Sequence, residues 1–288
     1  MKTKKIKKAI VAVAGSGTRF LPVTKSMPKE MLPIIDKPII QLVVEELVEA
    51  GIEDIILVTK WDKKTLEDHF DHSWALENEL EKGGKKKRLE EVKNISEMAN
   101  FIYIRQKGPY GNGTPVLSAA SLVENEPFVF VWGDDLVKSK ESFTKQMVED
   151  YEKTGNCMIG VQEVPEDQVD RFGIVALEKG TMKIKDIVEK PPIGEAPTNL
   201  ADFGRMILNQ DIIDVLKETE TGKGGELWIV DAITKYIKNG GSFYAKEVQG
   251  GKWMTTGDPL SYFRVILSYA ADRPEFKKYL KEFCKKLK

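Results

Sequence analysis

The chain has 288 residues and a formal net charge of −1, from 44 lysine and arginine against 45 aspartate and glutamate side chains. This balance argues against nucleic acid as a partner, and no apolar run reaches the ~18–20 residues that span a bilayer. The basic start precedes an apolar run, residues 9–14, that is too short for a signal-peptide core. With two cysteines far apart in sequence, these features predict a cytoplasmic protein without a nucleic-acid or membrane partner.

The first half of the chain alternates apolar strand patterns with helical patterns. Strands are predicted at residues 9–14, 55–59, 101–105 and 128–132, and helices at 37–50, 65–80 and 116–122. The basic run at residues 85–88 is interpreted as a solvated loop or a helix start. This alternation predicts an α/β fold, with a Rossmann-like, doubly wound, mostly parallel sheet and helices on both faces. Ligands of such sheets bind beyond the carboxyl ends of the strands.

The second half of the chain changes character. Strands are predicted at residues 158–164, 172–177 and 182–188, and the tight turns between them favour antiparallel pairing. Further along, the pattern predicts helices at 210–217 and 227–239, a strand at 243–248, and two closing helices at 260–271 and 275–288.

A glycine-rich loop directly follows the first predicted strand. Gly15 and Gly17 let backbone N–H groups approach a phosphate closely, Arg19 can hold two phosphate oxygens, and Lys29 adds a point charge. The dinucleotide fingerprint needs a third glycine where Phe20 stands, and the mononucleotide P-loop needs Gly-Lys-Ser/Thr. The loop therefore looks built for phosphates while matching neither template. An ordinary strand-to-helix turn is the alternative.

Polar residues also follow two later strands. Gln106 offers one donor and one acceptor to a base edge, a pattern that uracil and thymine complement, whereas the alternative is a polar surface turn. Asp134 and Asp135 end the strand at 128–132, and an acidic pair there suits Mg²⁺, which takes few protein carboxylates and many phosphate or water ligands. The alternative for this pair is a turn or a helix cap.

The second half holds a third set of polar residues. Glu189 can accept hydrogen bonds from sugar hydroxyls, Lys190 can bind a phosphate, and Gly173 lets a ligand lie against the backbone. Taken alone, Glu189 and Lys190 are equally well explained as an exposed salt bridge.

Together these motifs resemble a known family. Gly-Ser-Gly-Thr-Arg at residues 15–19, Pro-Lys-Glu-Met-Leu-Pro at 28–33 and Asp-Lys-Pro at 36–38 resemble the signature of sugar-1-phosphate nucleotidylyltransferases, most of all their uridylyl branch. The likeness runs from about Lys5 to Tyr269. It implies transfer of UMP from UTP to glucose 1-phosphate, giving UDP-glucose and pyrophosphate by Mg²⁺-assisted in-line attack on the α-phosphate. A homo-oligomer, dimer or tetramer, is also expected.

The resemblance divides one nucleotidyltransferase domain, residues 1–288, into a nucleotide-binding half (1–150), a sugar-phosphate-binding half (151–258) and C-terminal helices (259–288). It implies catalytic roles for Arg19, Lys29 and Lys190. It implies nucleotide binding by Ala14, Gly15, Gly17, Thr18, Glu30, Gln106, Gly111 and Gly113. It implies sugar-phosphate binding by Gly133, Gly173, Glu189, Lys190 and Glu226.

One position departs from the family pattern at the expected metal site. Asp134 is the implied metal ligand, but Thr255 stands where relatives have a second aspartate, and Asp258 is an alternative second ligand. Because a neutral hydroxyl is a weaker Mg²⁺ ligand than a carboxylate, a weakly active UDP-glucose-binding homologue is one alternative function. The other is a thymidylyl- or other sugar-1-phosphate nucleotidylyltransferase. Thr114-Pro115 and Trp228 also depart from the pattern, and Trp228 is a candidate to shape the sugar pocket.

Overall fold

The structure is a computed structural model that describes residues 4–287, except for the side chain of Lys223. Residues 1–3 of the basic start and Lys288 of the last predicted helix lie outside the described residues. Within this range, no helix is long and apolar enough to cross a membrane.

Strands and helices are interspersed along the chain up to residue 154. The strands of this half are β1 (Lys8–Ala12), β2 (Pro33–Ile34), β3 (Lys37–Pro38), β4 (Asp54–Thr59), β5 (Asn100–Arg105), β6 (Phe128–Trp132) and β7 (Asp135–Ser139). The helices are α1 (Ile39–Glu49), α2 (Lys64–Phe70), α3 (Trp74–Lys82), α4 (Lys86–Glu97), α5 (Thr114–Ala119) and α6 (Phe143–Thr154).

Strands dominate the next part of the chain, and two helices end it. The strands are β8 (Cys157–Glu163), β9 (Gly173–Leu177), β10 (Ile184–Glu189), β11 (Leu200–Leu208), β12 (Phe243–Glu247) and β13 (Gly251–Thr255). The helices are α7 (Gln210–Lys217), α8 (Ile229–Lys238), α9 (Pro259–Ala270) and α10 (Pro274–Lys286).

One large sheet runs through both halves. Strands β5, β4, β1 and β6 pair in parallel in that order, and β11 pairs antiparallel with β6. Beyond β11, β8 is antiparallel and β12 is parallel to β8, while the start of β11 also pairs with β9, which pairs with β10. Strands β7 and β13 form a separate antiparallel ribbon. The predicted fold class and the antiparallel pairing of the second half are confirmed.

Helices cover both faces of the sheet because its central strands are apolar on both sides. In β1, Ala9 and Val11 face one apolar cluster, and Ile10 faces the other. Side chains alternate between the faces of a strand, so a doubly covered strand appears as a continuous apolar run. The first cluster includes α1 and α6, and the second includes α5, α7 and α8.

Several predicted boundaries differ from the structure. The single helix predicted at 65–80 is two helices, α2 and α3, because the chain becomes extended at Asp71. The basic run at 85–88 leads into α4, which confirms the helix start, one of its two interpretations. The sequence analysis missed α6, although Ser142 caps it by accepting from the Lys145 N–H and Gly155 ends it with φ 71°. It also missed β7, β11 and β13.

Candidate active site

A cavity of about 360 Å³ lies beyond the carboxyl ends of β1, β5 and β6 and extends to β9, β10 and β11. This is the position at which ligands bind to doubly wound sheets. The cavity brings together residues that lie far apart in sequence, from both halves of the chain. The predicted site residues that line it are Ala14, Gly15, Arg19, Lys29, Glu30, Gln106, Gly111, Asp134, Gly173, Glu189, Lys190 and Glu226.

Other predicted residues support the cavity without lining it. Gly17 has φ 64° at the turn after β1, and its carbonyl accepts from the Thr24 hydroxyl at 2.8 Å. A Cβ atom at Gly133 would lie 2.5 Å from Val13 Cγ1, so close packing of β6 on β1 requires glycine there. Thr18 is exposed on the turn that follows Gly17.

The two glycines expected near the base pack against the protein's own backbone. A Cβ atom at Gly111 would lie 2.3 Å from the Leu227 carbonyl oxygen, and one at Gly113 would lie 3.2 Å from the same atom. The Gly113 N–H donates to that carbonyl at 2.9 Å. Gly111 lines the cavity and Gly113 does not, so packing on Leu227 accounts for both glycines. Thr114 is likewise structural, since its hydroxyl donates to the Pro109 carbonyl at 2.6 Å.

A lysine and an aspartate meet at the centre of the cavity. Lys29, on the loop after β1, places Nζ 2.5 Å from Oδ2 of Asp134 at the end of β6. Burial acts to lower the pKa of Lys29, but the negative charges of Asp134 and Glu30 outweigh it and raise the pKa above its ordinary value. Lys29 therefore remains a cation, held in place by the carboxylate beside it.

The next residue, Glu30, forms a second and fully buried ion pair. Lys63 Nζ donates to the two Glu30 carboxylate oxygens at 2.7 and 2.9 Å, and their side chains are 3% and 1% exposed. Burial raises the pKa of Glu30, while the positive charges of Lys63 and Lys29 oppose it. The pair ties the 3-10 turn at Lys29–Met31 to the segment before α2 and so fixes the backbone that presents Lys29.

Buried polar contacts also fix the strand end that presents Asp134. Arg205 on β11 is fully buried, and its Nη2 lies 2.7 Å from Glu46 Oε2 and 3.0 Å from the Asp135 carbonyl oxygen. Burial, reinforced by the negative charge of Asp134, raises the pKa of Asp135 to about 6. Asp135 points away from the cavity and Asp134 lines it, so the two acids have different surroundings.

Thr255 lies close to Asp134, whereas Asp258 has other partners. A Cβ atom built at Gly257 would lie 3.3 Å from Thr255 Oγ1 and 3.9 Å from Asp134 Oδ2, which places both oxygens around one point. Asp258 caps α9, with its carboxylate accepting from the Ser261 N–H at 2.9 Å and from Arg171 Nη2 at 2.9 Å. The Asp258 carboxylate is thus committed to a helix cap and an ion pair.

The donor chemistry at Asp134 fits a hard divalent cation only if the substrates supply most of the ligands. Among residues 4–287, no group of three or more His, Cys, Asp or Glu side chains is placed to hold a metal ion. One carboxylate and one hydroxyl suit an ion that keeps phosphate and water oxygens.

The second half contributes the opposite side of the cavity. Lys190 Nζ lies 3.0 Å from Glu189 Oε1 and 4.7 Å from the centre of the Trp228 ring. The salt bridge that was the alternative interpretation of Glu189 and Lys190 is thus present, and it lines the cavity. Trp228 also lines the cavity, consistent with its predicted place at the pocket.

Several residues that line the cavity were not predicted as site residues. Trp132, Arg171 and Asp202 are among them. Asp202 had a detectable signal, because it is an acid inside the otherwise largely apolar strand β11. Arg171 ends a 3-10 turn, Glu166–Arg171, that carries no recognised motif, and its position follows only from the fold.

Comparisons with known proteins agree with this geometry. The family model "Nucleotidyl transferase" matches residues 8–272. A UTP–glucose-1-phosphate uridylyltransferase of Staphylococcus epidermidis is 45% identical over 287 residues, covering 99% of both chains. Among solved structures, a UDP-glucose pyrophosphorylase from Acinetobacter baumannii has a TM-score of 0.88 at 37% identity, covering 98% of this chain and 100% of that one.

A further solved structure, a UDP-glucose pyrophosphorylase complexed with UDP-glucose, has a TM-score of 0.83 at 41% identity, covering 93% of this chain and 100% of that one. Members of this family generally use a divalent metal ion. The chain therefore belongs to the nucleotidyl transferase family, as its motifs predict, and groups with the UTP–glucose-1-phosphate uridylyltransferases.

Proposed function

We propose that the protein transfers UMP from UTP to glucose 1-phosphate, giving UDP-glucose and pyrophosphate. The observation that supports this most directly is that one cavity joins the phosphate-type loop, with Arg19 and Lys29, to the sugar-type residues Glu189 and Lys190. The relatives' names point to the same reaction.

The chemical step is an in-line displacement at phosphorus. A phosphate oxygen of glucose 1-phosphate forms a bond to the α-phosphorus of UTP, and the bond from that phosphorus to the β-phosphate oxygen breaks, so that pyrophosphate leaves. Because a phosphate monoester has a second pKa of about 6, the attacking oxygen is already ionised at neutral pH. The protein needs no general base, and its task is to position the substrates and stabilise charge.

The cations of the cavity supply that stabilisation. Lys29 neutralises charge at the reacting α-phosphate, Arg19 binds the leaving pyrophosphate, and Lys190 binds the sugar phosphate. Arg19 Nη1 donates to the Gly257 carbonyl at 3.2 Å, so this loop is joined to the segment that holds Thr255. Gln106, fixed through its N–H to the Thr59 carbonyl at 2.9 Å, pairs with the uracil edge.

Asp134 is the protein ligand we assign to Mg²⁺, with the Thr255 hydroxyl as a weaker neighbour. The bound ion would neutralise phosphate charge and help to orient the two substrates. Asp258 is the poorer candidate because of its partners. We further propose one domain, a cytoplasmic location and assembly as a homo-oligomer. The continuous sheet supports the single domain.

Pyrophosphate release tests the proposed reaction. Purified protein is given UTP, glucose 1-phosphate and Mg²⁺, with dTTP and galactose 1-phosphate as comparators. We expect the fastest release with UTP and glucose 1-phosphate. Faster release with another pair would reassign the substrates, and no release with measurable UDP-glucose binding would favour a binding homologue disabled at its metal site.

A further inference from the structure

Three neighbouring strands place Glu189, Gly173 and Asp202 side by side. Glu189 on β10 is paired with Gly173 on β9, and the antiparallel pairing of Ala201 with Ile174 puts Asp202 on β11 opposite Gly173. Residues directly opposite on antiparallel strands face the same side of a sheet. Gly173 has no side chain and so leaves a slot beside Glu189 into which the Asp202 carboxyl group fits, and all three residues line the cavity.

Asp202 has an unsatisfied oxygen in this slot. It is 3% exposed, and its Oδ2 atom has no hydrogen-bond partner among residues 4–287. A Cβ atom at Gly173 would lie 2.6 Å from its Oδ1, so only glycine leaves room for the carboxyl group. A buried polar atom without a partner is costly, and such an atom in a cavity has a place for a ligand.

Trp132 adds an unsatisfied donor on the same face. The pairing of Arg205 with Val131 places Gly204 opposite Trp132, and Gly204 is two residues from Asp202 on β11. A Cβ atom at Gly204 would lie 2.5 Å from Trp132 Cδ2, so the indole lies directly over this glycine. The buried Trp132 Nε1 has no hydrogen-bond partner within the described part of the chain.

The charges around Asp202 determine its chemical form. Burial, followed by the negative charges of Glu189 and Asp135, raises the pKa of Asp202 well above its ordinary value. A neutral carboxylic acid has one O–H donor and an acceptor oxygen. A sugar hydroxyl, which both donates and accepts, complements a neutral acid and an indole N–H together.

We propose that Asp202 is a specificity-determining residue that hydrogen-bonds a hydroxyl group of the sugar 1-phosphate, with the Trp132 N–H donating to the same ligand. The inference rests on the proposed function, because it deepens the sugar side of that site. A site built around buried polar groups rejects an analogue that lacks the matching hydroxyl, since those groups then stay unpaired. The substrate class is accordingly a sugar phosphate with a hydroxyl at this position, as opposed to a deoxy sugar.

Titration calorimetry with UDP-glucose and with UDP tests the proposal, because their difference isolates the sugar. The variants are Asp202→Val, which suits a strand but removes hydrogen bonding, and Asp202→Asn, which keeps a donor and an acceptor. We expect Asp202→Val to weaken UDP-glucose binding at least about tenfold with UDP binding unchanged, and Asp202→Asn to stay within about threefold of wild type. Asp186→Val, on β10 outside the cavity, is the matched control.

Thermal unfolding of the free protein separates recognition from a structural role. Asp202→Val removes a buried acid that has one unpaired oxygen and faces the charge of Glu189, so its Tm is expected to rise while UDP-glucose binding falls. A fall in Tm together with equal losses for UDP and UDP-glucose would show that Asp202 serves the fold. Unchanged UDP-glucose binding in Asp202→Val would overturn the proposal directly.

Deoxyglucose 1-phosphates identify the hydroxyl group. In competition binding, the analogue that lacks the contacted hydroxyl should bind wild type and Asp202→Val alike, whereas the others should lose affinity in the variant. Equal losses for every analogue would overturn the proposal. Pyrophosphate release reports separately on the proposed function: wild type that releases none, with a selective loss of UDP-glucose binding in Asp202→Val, would refute the reaction and support Asp202.

Discussion

The two sides of the cavity treat their polar groups differently. On the phosphate side, Lys29 is paired with Asp134 and Glu30 with Lys63, all within 3 Å. On the sugar side, Asp202 is buried and Trp132 is half-buried, and their buried atoms Oδ2 and Nε1 lack hydrogen-bond partners in the described chain. Paired groups hold their geometry before substrate arrives, which suits charge stabilisation, whereas unpaired groups reserve their hydrogen bonds for a ligand. The contrast separates the residues that we expect to stabilise the reacting groups from those that we expect to select the substrate.

Breaking the buried pair of the phosphate side should produce the largest effect on stability. Lys63→Met leaves the Glu30 carboxyl buried without its cation, and we expect a loss of about 3–5 kcal/mol in the free energy of unfolding. Urea denaturation measures it. The double variant Glu30→Gln/Lys63→Met should recover most of the loss, since no charge is then buried alone. A double variant as unstable as Lys63→Met would mean that packing, not charge pairing, stabilises this turn.

Removing the paired lysine of the cavity should depress turnover strongly and cost less stability than Lys63→Met, because Asp134 faces the open cavity. Lys29→Ala takes away a cation from the reacting phosphate, and a fall of roughly 10²–10³-fold in kcat is expected. Steady-state pyrophosphate release measures kcat, with Lys25→Ala, an exposed lysine on the same loop, as the control. Near-normal kcat in Lys29→Ala would refute its assigned role.

The phosphate side was also the easier one to predict from sequence. Strand β6, which leads to Asp134, has its predicted bounds, because it is a continuous apolar run with clear ends. Strand β11 was missed because Asp202, Gly204 and Arg205 interrupt its apolar pattern. Asp202 lies against Gly173, Gly204 lies under Trp132, and Arg205 pairs with Glu46. These partners are distant in sequence, so a local pattern does not contain the contacts.

The same limit applies to the candidate site. Local motifs identified Lys29, Gln106 and Asp134 as residues of the cavity, and the last two closely follow strands whose ends are visible in the sequence. They did not identify Lys63, because its partner Glu30 is 33 residues away and only the fold brings the two together. Ligand contacts were predicted for Gly113 and Gly133. Close packing against Leu227 and Val13 is enough to explain glycine at both positions.

A substitution of Gln106, which directly follows β5, should change the selectivity for the base. Gln106→Leu removes the amide that we propose pairs with uracil, while keeping the size of the side chain. We expect the ratio of kcat/KM for UTP over CTP to fall about tenfold, because the wrong base no longer meets a mismatched amide. Competition between the two nucleotides measures this ratio, and Lys107→Ala, the neighbouring exposed residue, should leave it unchanged. An unaltered ratio in Gln106→Leu would move base reading to the backbone of the loop.

Substitutions at the metal site should have the smallest effect, because Asp134 is the one carboxylate that residues 4–287 offer there. Thr255→Asp adds a second carboxylate near Asp134, and we expect the Mg²⁺ concentration that gives half-maximal pyrophosphate release to fall several-fold, up to about tenfold. Thr255→Val, which removes the hydroxyl at nearly constant volume, should raise it slightly. These opposite directions matter because a general disturbance of the β7–β13 ribbon would shift both variants the same way. If neither variant moves the midpoint, Thr255 is too far from the bound ion to act, and Asp134 holds it with the phosphates alone.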